Sequence, residues 1–62
     1  MKRVDIQMYY SMLIQAYVNE EDFEKQIKNA EYGHTIFVEI VDIKGREIKF
    51  NPKYVAYIKY FD

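Results

Sequence analysis

The stretch VDIQMYYSMLIQAYV, residues 4–18, sets an apolar side chain at every second position: Val4, Ile6, Met8, Tyr10, Met12, Ile14, Ala16 and Val18. That period belongs to an extended chain with one buried face, because successive side chains of a strand point to opposite sides. The intervening Asp5, Gln7, Tyr9, Ser11, Leu13, Gln15 and Tyr17 make the second face mixed rather than polar. A helix competes, since Ile6, Tyr10, Leu13 and Tyr17 also fit a stripe of 3.6-residue period. The strand is the preferred reading. Its length exceeds the usual five or six residues, so a bulge or an irregular first part is expected.

Downstream, Asn19 precedes the acids Glu20, Glu21, Asp22 and Glu24, which suit the positive end of a helix, and Phe23, Ile27 and Ala30 recur on one helical face. Gly33 supplies the residue of positive φ that commonly closes a helix. Thr35 to Val41 is rich in branched and aromatic residues and reads as a strand. Lys44-Gly45 marks a tight turn into a strand over 46–51, and Asn51-Pro52 turns the chain again into a last strand over 54–61. Residues 1–62 thus read as a single small α+β domain, a β-α-β-β-β order in which one helix packs on one face of an antiparallel single-layer sheet. The expected covered face collects Ile36, Val38, Ile40, Ile48, Phe50, Ala56 and Ile58 with part of the first strand.

A chain of 62 residues allows one core, and a domain of this size buries only about 60% of its unfolded surface. No cysteine is present to staple it. With one histidine and no thiol, a closed structural zinc site is also disfavoured, and no cofactor is expected. The absence of cysteine agrees with a reducing compartment. No leader pattern or long apolar run is seen, so a cytoplasmic protein with no membrane segment is expected. Short chains of this composition are common among bacterial and phage accessory proteins.

Formal net charge is −1, but its distribution is uneven. Between Glu20 and Glu31 five acids face Lys25 and Lys28, whereas from Lys44 onward Lys44, Arg46, Lys49, Lys53 and Lys59 face only Glu47 and Asp62. Basic residues interleaved with Tyr57 and Tyr60 offer phosphate contacts and stacking platforms, which makes nucleic acid an alternative partner. Lysines on an edge strand also serve simply to discourage aggregation, and that reading is preferred.

Carried through the sheet, the alternation leaves Tyr9, Leu13, Tyr17, Phe37, Val41, Val55, Tyr57 and Phe61 on a face that one helix cannot cover, diluted by Glu39, Lys49 and Lys59. Burying about 600 Å² of apolar area per protomer would contribute on the order of 15 kcal/mol, before the costs of association. The expected partners are therefore a second copy of the chain, meeting this aromatic face or an open edge strand, and a larger protein that the module binds or inhibits. Catalysis finds little footing. His34 stands alone in the loop after the helix, Ser11 and Thr35 have no activating neighbour in sequence, and two glycines cannot build a phosphate-binding loop. A small-molecule carrier is disfavoured by volume.

Overall fold

The computed structural model describes residues 1–61. Its elements are β1 (Lys2–Met8), β2 (Leu13–Val18), α1 (Glu20–Glu31), β3 (Val38–Val41), β4 (Glu47–Phe50), a single 3-10 turn (Pro52–Tyr54) and β5 (Val55–Phe61). The strands form two antiparallel sheets, one of three strands in the order β2-β1-β5 and one of two, β3-β4. One helix on antiparallel sheet is the α+β architecture that the sequence predicts.

Residues 4–18 are extended, but as two strands rather than one. β1 and β2 form a hairpin that pairs Val4 with Ala16 and Ile6 with Ile14. Directly opposed residues share a face, and the three-residue loop between Met8 and Met12 keeps odd and even positions in step. The chain therefore reverses without breaking its alternation. Met8 N–H donates to Met12 C=O at 2.8 Å, and Ser11 sits at φ 70°, the left-handed residue that such loops place last. Since that residue is neither glycine nor asparagine, the turn carries no sequence signal. Tyr10 and Met12, set on the buried side by the alternation, are exposed at the turn instead.

The last strand does not lie beside the one before it, as the turn at Asn51-Pro52 suggests, because β5 pairs with β1 and not with β4. Asn51 accepts a bond from Lys53 N–H at 2.9 Å and starts the 3-10 turn, and Tyr9 N–H donates to Tyr54 C=O at 2.8 Å, steering the chain to the free side of β1. Arg3 then faces Phe61, Asp5 faces Lys59 and Gln7 faces Tyr57. One step further Met8 faces Val55, so Ala56 is an extra residue, a bulge that resets the alternation. In consequence Val55 packs against the core and Ala56 is exposed, the reverse of the expected assignment.

Asn19 caps α1 by accepting from Asp22 N–H at 3.0 Å, and three acids occupy the first turn. Gly33 lies at φ 81°, just beyond the helix end. Phe23 is buried and Ile27 and Ala30 pack beside it. The core joins Val4, Ile6, Met8, Ile14, Ala16 and Val18 from the hairpin with Val38, Ile40 and Phe50 from the β3-β4 ribbon. Ile48 and Ile58 are half-buried as the covered face requires, whereas Ile36 precedes β3 and is exposed.

The two sheets meet where Ala16 bridges Asp42 and Ile43 N–H donates to Gln15 C=O at 2.9 Å. Beyond that bridge β3 leaves β2, and Gln26 of α1 takes its place. Its side-chain amide donates to Glu39 C=O and accepts from Glu39 N–H, both at 3.0 Å, as a neighbouring strand would. Asp42 holds the joint. Its buried carboxylate accepts from Lys44 N–H at 3.0 Å and Arg46 N–H at 2.8 Å, and pairs with the Arg46 guanidinium at 2.8 Å. Burial by itself raises the pKa of this carboxyl, but the bonds and charge of Arg46, with the Lys44 N–H, outweigh it and hold it below the ordinary value.

A depressed carboxylate pKa contributes stability that is present above the unfolded-chain value and is lost as pH falls through the folded one. Asp42→Asn should therefore lower the urea midpoint near neutrality, and its deficit relative to wild type should shrink below about pH 4. At the hairpin, Ser11→Gly relieves left-handed strain of about 1 kcal/mol, less the entropy that glycine adds to the unfolded chain. Circular-dichroism melting should show a midpoint a few degrees higher for Ser11→Gly and lower for Ser11→Val, because a branched side chain tolerates positive φ least.

Candidate protein-contact surface

Strand pairing decides which side chains share the outer face of the three-stranded sheet, the side away from α1. Across it, Tyr17, Arg3 and Phe61 form one row, Gln15, Asp5 and Lys59 a second, and Leu13, Gln7 and Tyr57 a third. Apolar and aromatic groups thus occupy the four corners, and the central strand supplies Arg3, Asp5 and Gln7.

The cations are laid over the rings. The Arg3 guanidinium lies 5.9 Å from the Tyr17 ring centre and 5.3 Å from that of Phe61, and Lys59 Nζ lies 4.9 Å from the Phe61 centre. Asp5 accepts from Arg3 Nε at 3.2 Å and so fixes the guanidinium between its two rings. Such exposed contacts contribute about 0.5–1 kcal/mol each, and their main effect here is to hold long side chains in one orientation.

The structure divides the eight residues expected on this face. It brings Leu13, Tyr17, Tyr57 and Phe61 together, with Phe61 half-buried beneath the two cations. Tyr9 stands just past the face at the hairpin end, 71% exposed. Phe37 and Val41 lie on the separate β3-β4 side, where Lys49 Nζ is 5.7 Å from the Phe37 ring centre. Val41 adjoins the main face only through a hollow that it lines with Tyr17. Val55 is turned inward by the bulge. Arg3, Asp5 and Gln7 are the additions that sequence reasoning missed, since nothing in the sequence says that β1 is central.

The five basic residues weighed for nucleic acid are spread over separate elements. Lys44 and Arg46 belong to the β3-β4 turn, where Arg46 is held by Asp42. Lys49 of β4 lies 3.5 Å from Glu39 of β3, Lys53 sits over Tyr54 on the 3-10 turn, and Lys59 lies on β5. No element gathers them into one stripe.

On the opposite side of β5, Tyr60 meets Phe23 edge-on with ring centres 6.3 Å apart. Burial, and then the carboxylates of Glu24 and Glu20, push the Tyr60 hydroxyl pKa up. His34 is exposed in the loop after α1. Among the described residues no group of three His, Cys, Asp or Glu side chains is placed to hold a metal ion, and no helix is long and apolar enough to cross a membrane. Comparison of the chain with protein-family models, with curated proteins and with solved structures finds no match.

Proposed function

We propose that this protein is a small, non-catalytic binding module that associates with itself as a homodimer and meets a larger partner protein through its aromatic sheet face. The observation that carries the reading is the Tyr17-Arg3-Phe61 row, flanked by Leu13 and Tyr57 and held by Asp5. Tyrosine, phenylalanine and arginine are the residues enriched at protein interfaces, where they combine large contact area with few rotatable bonds or with directed donors. An arginine already clamped between two rings loses little further freedom on docking, so more of its contact energy remains as affinity. Size argues in the same direction, because the helix and ribbon cover only one side of the three-stranded sheet and a second chain would add buried surface. Nucleic acid receives less support from the scattered cations described above.

Equilibrium sedimentation checks the self-association. A dimer is expected at tens of micromolar, and a well-folded monomer at high micromolar concentration would overturn it. The face is checked with the double variant Leu13→Asp/Tyr17→Asp, whose sites are exposed, so its melting temperature should stay near wild type. Co-purification should recover a protein with wild type and lose it with the variant, and equal recovery would show that the face is not the contact surface.

A further inference from the structure

β5 is an outer strand of its sheet, so among the described residues one of its flanks has no strand neighbour. The direction of its backbone groups follows from two bonds elsewhere. Met8 N–H bonds to Met12 C=O and Ile43 N–H bonds to Gln15 C=O. Antiparallel ladders alternate, so even-numbered residues of β1 bond to β2 and odd-numbered ones to β5. In the regular part of β5, beyond the Ala56 bulge, Ile58 and Tyr60 therefore turn N–H and C=O toward the open side. Of the remaining outer strands, β2 is joined to the ribbon at Gln15 and Ala16, and β4 is four residues long with Glu47 and Lys49 on it, the short charged form that discourages pairing. β5 spans seven residues, and Lys59 is its only charge.

We infer that a second copy of this chain pairs antiparallel along the open edge of β5, with Ile58 opposite the partner's Ile58. The inference rests on the homodimer proposed above and names its interface. A two-fold axis normal to the sheet keeps both helices on one side and both aromatic faces on the other, so the outer face continues across six strands. It also sets unlike ends side by side. Glu20 and Glu24 flank Tyr60 at one end of β5, and Lys53 precedes the strand at the other, so each acidic end lies toward the partner's Lys53.

Charge selects the register. Centring the pair on Lys59 would oppose Lys59 to the partner's Lys59, and centring it on Tyr60 would bring the two acidic ends together. Centring it on Tyr57 would leave Tyr60 and Phe61 facing the irregular turn. With Ile58 at the centre, Tyr57 faces the partner's Lys59, and Tyr60 faces the partner's Ala56, whose small side chain leaves room for the ring. Beside that edge a groove of ≈ 390 Å³, with Ile27, Ala30, Val55 and Ile58 in its wall, opens on the helix side for the partner's Tyr60.

Two experiments on the full chain test this. Tyr57→Lys and Tyr57→Glu both remove the ring, but only the first opposes a lysine to the partner's Lys59. Sedimentation at low salt should show the dimer dissociation constant raised at least tenfold by Tyr57→Lys relative to Tyr57→Glu, with the gap narrowing as salt is added. Equal effects would overturn the edge pairing. Because the chain has no cysteine, Tyr57→Cys mixed with Lys59→Cys should give a disulfide-linked dimer faster than either variant alone, since facing positions of this pair type lie about 4.5 Å apart at Cα and diagonal ones 7–8 Å. Faster linkage within Lys59→Cys alone would replace the register and overturn the inference. A monomeric wild type would overturn the homodimer itself. A dimer with no mixed linkage, and with equal Tyr57 effects, would overturn only the edge and leave the homodimer standing.

Discussion

The rest of the molecule depends on β1 having a strand partner on each flank. With β2 on one side and β5 on the other, its backbone groups have ladder partners on both sides, and Val4, Ile6 and Met8 can be withdrawn from water without stranding a donor or acceptor. In a chain this short, few other positions are shielded from above and from both sides. The helix and the ribbon pack onto that floor, and the joint at Asp42 decides how far the ribbon can turn away from β2 before Gln26 has to take over its pairing.

The same centrality gives the outer face its chemistry. A central strand exposes its odd-numbered residues along the middle of the sheet, and here those are Arg3, Asp5 and Gln7. The face is consequently a polar spine bordered by rings rather than a continuous apolar sheet. A dry face-to-face packing of two such surfaces would desolvate Arg3, Asp5 and Lys59, which costs more than rings alone return. Proteins meeting such a surface do better with acceptors that reach the guanidinium and apolar groups that rest on the rings. An edge-paired dimer avoids that desolvation, because it leaves the spine in water and extends the rings sideways.

Several features are legible in the sequence. The helix was marked by Asn19, its acids and Gly33, the β3-β4 turn by Gly45 at φ 79°, and the next turn by Asn51-Pro52, each through a local conformational preference. Half of the aromatic face was legible as well, since Leu13, Tyr17, Tyr57 and Phe61 follow from period-two alternation. The hairpin at Tyr9 to Met12 was not, because Ser11 holds a left-handed conformation that its residue type does not advertise, and because parity survives the reversal. Val55 was misplaced for a related reason. One extra residue at Ala56 inverts every assignment before it, and a bulge of this kind is set by how β5 fits against β1.

Amino-acid order by itself determined the α+β class, where the helix begins and ends, and that the chain lacks cysteine and a long apolar run. These properties depend on neighbours a few residues apart, so they are written locally. Tertiary structure alone decided that β5 crosses to β1, that Arg3 lies between Tyr17 and Phe61, and that one edge of β5 stays open. Those facts concern residues as far apart as Arg3 and Phe61, which meet only when closing the chain is repaid by a shared core.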